Sequence, residues 1–287
     1  MKPTRYFFIS GLPRSGSTLL GALLRQNPNV TAGMSSPLYS LVSGLLPQLS
    51  NASEFNIFID DAARTRLLRG LFENFYQGTN AVVMDTNRHW TSKINLLLTL
   101  FPETRFVCCV RPIPEIVQSF ERVFAARPAE ISKMVRFDPE TNVYSRTDVL
   151  MSGGGVVGFP LNALKEAFFG QHGDRLMLVS YANLAARPRE VMDGIYDFLG
   201  LERHAHDFEK IKFEVDDYDR SMGFPGMHKV RPKVQAEPRA LTLPPDLVAR
   251  LSGPWFWENP PPGSKSHTAF ARNDHKPAPA KPPAKFS

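Results

Sequence analysis

The residues Gly11-Leu12-Pro13-Arg14-Ser15-Gly16-Ser17-Thr18 have the types and spacing to hold an anionic group. They follow a strand-like run from Tyr6 to Ile9 and lead into an apolar, helix-like run. A strand, a Gly-rich turn and a helix together present backbone N–H groups at the helix N-terminus, which bind phosphate whatever the side chains are. Gly16 permits close approach of the backbone, and Ser15, Ser17 and Thr18 add hydroxyl donors. The triphosphate-binding form of such a loop reads G-x-x-x-x-G-K-[ST], and its Lys reaches the β- and γ-phosphates. Here Ser17 stands in the place of that Lys, which leaves the loop poorly equipped to neutralise a γ-phosphate. Arg14, inside the loop, supplies a planar cation suited to phosphate or sulfate oxygens. The plainer alternative is a tight turn whose Ser and Thr merely cap a helix.

Two further groups of residues sit where chemistry would be expected. In "RFVCCVRPIPEIVQSF", Arg111 ends an apolar run and Ser119 lies two helical turns further on, on the same side. Ligands of open α/β sheets bind at the carboxyl ends of the strands, where this Arg falls. In "AVVMDTNRHW" a second apolar run ends at Asp85, followed by Arg88 and His89. A kinase-like reading would give Asp85 a Mg²⁺ ion.

The elements that must position these residues alternate along the chain. Strands are expected at 6–10, 81–85, 105–110 and 176–180, and helices at 17–26, 92–100, 113–126, 161–171 and 188–199. Short β-branched or aromatic runs alternating with helical patterns imply an α/β fold with a mainly parallel sheet flanked by helices. The third helix has Pro112 and Pro114 near its start, where a missing N–H is tolerated, and apolar residues at helical spacing from Ile113 to Phe124. Gly200 is placed as the stop of the last one. Residues 33–78 read as a helical insertion after the first βα unit, 127–155 as an excursion ending in three glycines, and 216–240 as an irregular polar strip.

The chain has 287 residues and a net charge of +6. Between residues 263 and 287 five basic residues face one Asp, a balance of +4, so the remainder holds only +2. The charge therefore belongs mostly to a Pro/Ala/Lys-rich tail, "HKPAPAKPPAKFS", which cannot bury enough apolar surface to fold. The expected organisation is one domain over 1–260 and a flexible tail over 261–287. A nucleic-acid partner is not expected. No apolar run approaches the ~18 residues of a membrane span, so no stable membrane insertion is expected either. The N-terminus runs directly into the first strand without a signal peptide, and a cytoplasmic location follows as an expectation. The two cysteines, Cys108 and Cys109, are adjacent in an apolar run and should face opposite sides of a buried strand, with no metal site.

On these residues the sequence resembles the sulfotransferases that use 3′-phosphoadenosine 5′-phosphosulfate (PAPS), of the bacterial small-molecule or carbohydrate type. Their first loop commonly reads P-[KR]-[ST]-G-[ST]-[ST], matched here by Pro13, Arg14, Ser15, Gly16, Ser17 and Thr18. The resemblance implies that this loop wraps the donor's 5′-phosphosulfate, with Arg14 beside the departing sulfuryl group. It implies that Arg111 and Ser119 take the 3′-phosphate. Looser matches give Tyr181, in "LVSYANLAARP", an approach to the adenosine, and make "HKVRPKV" a late basic loop closing over the nucleotide through Arg231, with Lys229 and Lys233 behind it. For Tyr181 a buried packing role is an equal reading, and for the basic loop a solvated one. The resemblance covers about residues 5–235.

The implied reaction moves a sulfuryl group from PAPS to the hydroxyl of a small molecule, carbohydrate, lipid or peptide, without a metal. Such a transfer needs a base for the acceptor's proton and stabilised charge on the leaving oxygen. His89 is the first choice for the base and Asp85 the second, because a neutral imidazole titrates near working pH. His89 packing beside Trp90 at a helix start is the rival. Relatives often carry Lys where this sequence has Thr86, which shifts the leaving-oxygen role to Arg14. Two other classes stay open: a P-loop nucleotide kinase or phosphotransferase, and a nucleotide-binding protein without catalysis.

Overall fold

The computed structural model describes residues 3–50, 53–126, 141–214, 216–221, 226–236 and 240–268. Six parallel strands form one sheet in the order β2-β3-β1-β4-β5-β6. They are β1 (Arg5–Gly11), β2 (Val30–Ser35), β3 (Val82–Thr86), β4 (Phe106–Val110), β5 (Leu176–Ser180) and β6 (His267–Thr268). Between them run α1 (Ser17–Leu24), α2 (Leu38–Leu45), α3 (Asp61–Phe75), α4 (Ile94–Leu100), α5 (Ile113–Ala126), α6 (Val143–Met151), α7 (Gly158–Phe169), α8 (Tyr181–Ala186), α9 (Pro188–Leu199), α10 (Asp216–Ser221) and α11 (Pro245–Leu251).

A parallel sheet covered on both faces needs strands that are apolar at every position, which is what "YFFI" and "FVCCV" provide. Because strand side chains alternate, these runs feed two cores. Tyr6, Phe8 and Cys108 point to one, with α5 contributing Ile113, Ile116, Val117, Phe120 and Phe124. Phe7, Ile9 and Cys109 point to the other, with α9 contributing Val191, Met192, Ile195 and Phe198. Each such side chain is worth about 1.5–3 kcal/mol on burial, so the apolar stripe holds α5 in place far more firmly than helix propensity would. The neighbouring cysteines do face opposite sides, as buried free thiols. Gly200 closes α9 in the left-handed conformation, φ 61°.

Three stretches differ from their sequence reading. Residues 30–35 form an edge strand, so the region read as an insertion from 33 onward begins in the sheet and only then turns helical in α2 and α3. Within the strip at 216–240, α10 precedes an irregular segment. The tail expected from residue 261 first returns to the sheet, where His267 and Thr268 pair with Met177 and Leu178; residues 269–287 lie outside the described residues. So do 127–140 of the expected excursion, whose remainder forms α6 and the turn into α7.

Strand order places the site. From β1 the chain moves outward to β2 and returns through β3, then crosses to β4 on the other side of β1. The carboxyl ends of β1 and β4 therefore flank the point where the winding reverses, the place where open α/β sheets leave a crevice.

Candidate active site

The chain leaves β1 pressed against β4. Gly11 has φ +104°, and a Cβ there would fall 2.2 Å from the carbonyl oxygen of Cys109. The Leu12 N–H donates to that same oxygen at 2.8 Å. Arg14 then takes φ 58°, the one non-glycine in the left-handed region among the described residues. Such a residue costs on the order of 1–3 kcal/mol and persists only where its surroundings fix it. Its carbonyl accepts from Arg111 Nη1 at 3.3 Å, its Nε donates to Ser119 Oγ at 3.1 Å, and its Nη1 donates to the Met227 carbonyl at 2.6 Å. Gly16, φ +94°, begins α1 with no side chain to cap it, and a Cβ there would meet Tyr181 Cδ2 at 2.8 Å. The Tyr181 ring lies under the Arg111 guanidinium, 4.7 Å from centroid to Cζ. Arg111 is also paired with Glu115 at 2.8 Å.

A cleft of about 480 Å³ opens over this loop. Pro13, Arg14, Gly16, Ser17, Thr18, Arg111, Ser119, Tyr181 and Arg231 all line it, so the structure gathers these sequence-predicted residues around one volume. Among the described residues six cations border it, Arg14, Arg88, Arg111, Lys229, Arg231 and Lys233, and no carboxylate does. Its far wall is segment 226–236, held to the body at both ends. Arg14 ties it at Met227, while Pro232 accepts from the Ile211 N–H at 2.6 Å and Val234 donates to Phe208 at 2.9 Å. Val234 is buried in the core. The volume falls within the ~300–1,000 Å³ of small-molecule sites.

Three expected residues stand apart. Ser15 is buried and donates to the Pro13 carbonyl at 3.2 Å, so its hydroxyl braces the turn from inside. Asp85 is 0% exposed beneath the sheet end; Trp90 Nε1 donates to one of its oxygens and the Tyr76 hydroxyl to the other, both at 2.6 Å. Burial raises its pKa, against the pull of the Ser36, Tyr76 and Trp90 hydrogen bonds. His89 does not line the cleft; its ring lies between Tyr39 and Phe159, with centroids 4.9 and 5.1 Å away. Burial first and the Arg88 charge second hold its pKa down to about 4.

Another Asp and His do meet at the cleft. Asp219 on α10 is 0% exposed, and His228 lines the cleft. His228 Nδ1 donates to Asp219 Oδ1 at 2.6 Å, and the His228 backbone N–H donates to Oδ2 at 2.8 Å. The reading of the sequence missed this pair. The one available signal was a His at the head of the basic run already assigned to the nucleotide, and nothing in an irregular strip announces its carboxylate.

Among known proteins, a model of the sulfotransferase family matches residues 7–205. Of solved structures, the chain is similar to the sulfotransferase domain of the Synechococcus PCC 7002 olefin synthase at 16% identity, over 87% of this chain and 95% of that one, with a TM-score of 0.47. It is similar to the sulfotransferase domain from the curacin biosynthetic pathway at 17% identity, over 70% and 75%, TM-score 0.47. The sulfotransferase from Alicyclobacillus acidocaldarius shares 14% identity over 78% and 92%, TM-score 0.46.

Proposed function

The chain belongs to the sulfotransferase family, and on that premise we propose that it transfers a sulfuryl group from PAPS to the hydroxyl of a small molecule, carbohydrate, lipid or peptide. The observation that carries the donor assignment is the charge of the cleft: six cations gathered around a helix N-terminus that no side chain caps. Such a site suits a ligand with several negative charges, and PAPS carries them at both ends of its ribose. In this reading Ser17, Thr18 and the first turn of α1 take the 5′-phosphosulfate. Arg111 and Ser119 take the 3′-phosphate, Tyr181 borders the adenosine, and Arg231 closes over the nucleotide from segment 226–236. The two phosphate subsites are mechanically joined, since Arg14 reaches Ser119 directly and Arg111 holds the Arg14 carbonyl.

The acceptor oxygen attacks sulfur in line, the bond from sulfur to the 5′-phosphate oxygen breaks, and the electron pair stays on that oxygen. Arg14, fixed before the reaction, stabilises the charge that grows there. No covalent enzyme intermediate is involved. A Mg²⁺-dependent phosphotransferase finds less support, because Asp85, its candidate metal ligand, has its oxygens turned to Trp90 and Tyr76.

Calorimetry tests the donor. Arg111→Ala should weaken adenosine 3′,5′-bisphosphate by about 2–5 kcal/mol and leave adenosine 5′-phosphate nearly unchanged. Equal losses for both ligands would make Arg111 a residue of the fold. Stabilisation of the wild-type protein by ATP with Mg²⁺ and not by the bisphosphate would overturn the donor assignment.

A further inference from the structure

We infer that His228, oriented by Asp219, is the base that takes the acceptor's proton during sulfuryl transfer. The inference rests on the donor reading above, since it concerns the same cleft.

Position comes first. His228 lines the cleft one residue beyond Met227, whose carbonyl is held by Arg14. The imidazole is thereby fixed beside the group assigned to the leaving oxygen. It is fixed a second time by Asp219, which binds both the ring and the backbone N–H of His228. A fully buried carboxylate on Nδ1 selects the tautomer whose lone pair is on Nε2, so proton exchange with a bound hydroxyl goes through Nε2.

Charge comes second. Among the described residues, the charged groups that act on this imidazole include Asp219 from α10, Arg14 from the phosphate loop and Arg88 from the turn after β3. Burial, helped by the two arginines, lowers the His228 pKa below its ordinary 6.5, and Asp219 opposes the shift. The ring is therefore neutral at neutral pH and able to accept a proton. Once protonated it is an imidazolium hydrogen-bonded to a buried carboxylate, a pair far less costly than an isolated buried charge.

The step balances. As the acceptor oxygen bonds to sulfur, its proton passes to Nε2, and the sulfur–oxygen bond to the donor's 5′-phosphate breaks with its pair on the phosphate side. The products are the sulfate ester, adenosine 3′,5′-bisphosphate and imidazolium, which returns its proton to solvent once the products have left. Asp219 is a positioning residue here and touches no reactant.

The experiment compares wild type, His228→Gln and Asp219→Asn with PAPS and two acceptors, phenol and 4-nitrophenol, at mildly alkaline pH. Release of adenosine 3′,5′-bisphosphate with water as acceptor is read alongside. 4-Nitrophenol is then mostly ionised and needs no base, so the ratio of the two phenols isolates proton removal. His228→Gln should slow transfer to phenol and water by roughly 10²–10⁴-fold and transfer to 4-nitrophenol far less, with the folded variant still binding the bisphosphate. Wild type should lose rate on the acid side as His228 protonates. Asp219→Asn should keep that acid limb but move it to lower pH, because the group that raises the His228 pKa is gone. His228→Gln should abolish the limb. Equal losses for both phenols, an unchanged rate, or an acid limb that survives His228→Gln overturn the assignment of the base alone. Bisphosphate binding by wild type with no turnover of PAPS does the same. Failure of wild type to bind the bisphosphate overturns the donor reading and this assignment with it.

Discussion

Two regions of this protein each contain a fully buried aspartate and a nearby histidine, and they are built to opposite ends. At the exit of β3, Asp85 turns to Trp90 and Tyr76 while His89, four residues on, packs between aromatic rings. Below segment 226–236, Asp219 turns to His228 itself, and His228 borders the cleft. The residue types are the same. What differs is the partner: phenol and indole donors lock a carboxylate into the scaffold, whereas an imidazole passes its influence on to whatever binds beyond it. Closeness in sequence made the first pair conspicuous, and spatial pairing makes the second one chemically able.

The largest expected effect sharpens the contrast on the side facing the cleft. If Arg14 stabilises the leaving oxygen, Arg14→Ala should lower kcat with every acceptor by roughly 10²–10³-fold, phenol and 4-nitrophenol alike. That equality separates it from His228→Gln. A loss confined to phenol would mean that Arg14 acts only through Met227 and the placement of His228.

Next in size is the scaffold side. Asp85→Ala leaves the Trp90 N–H and the Tyr76 hydroxyl without their acceptor and should cost roughly 2–4 kcal/mol of stability, read by denaturant unfolding. The folded protein should still bind adenosine 3′,5′-bisphosphate as wild type does. A variant that melts normally but cannot turn over would move Asp85 to the reaction and break the comparison.

The smallest effect is a pH dependence. The native pKa of His89 is about 4, below its ordinary 6.5, so the unfolded chain takes up the proton first. The stability His89 contributes is complete above 6.5 and is lost as pH falls from 6.5 towards 4. His206, also held at about 4 with burial as the main cause, adds to the same slope. Melting temperatures measured across that window should fall less steeply for His89→Gln, leaving the share due to His206. An unchanged slope would show that the ring between Tyr39 and Phe159 is already hydrated in the native state.

Much of this architecture can be read from the sequence where burial leaves a periodic trace. β1, β3, β4 and β5 are continuous apolar runs, and α5 and α9 carry full apolar stripes, so their places were legible. β2 was not: "VTAGMS" is small and weakly apolar, half-buried at a sheet edge, and its glycine argues against a strand. β6, two residues long, has no period at all. In the cleft, the Gly11-to-Thr18 loop and the Arg111–Ser119 spacing were legible because local backbone geometry fixes both. That Ser119 would meet Arg14 rather than Arg111 was not, since it depends on the left-handed turn at Arg14. The Asp219–His228 contact closes across an irregular segment, and contacts of that kind leave no mark on residue spacing.

The central position of β1 has a bearing on how the chain is made. β1 precedes both of the strands it pairs with, β3 and β4. Neither neighbour exists when "YFFI" leaves the ribosome, and at 5–20 residues per second the interval from Gly11 to Val82 lasts about 4–14 s. During that wait an aromatic, unpaired strand is exposed to any other nascent chain nearby. The protein should therefore depend on chaperones that hold early segments, and heterologous yield should respond more to slowed translation before Val82 than after it.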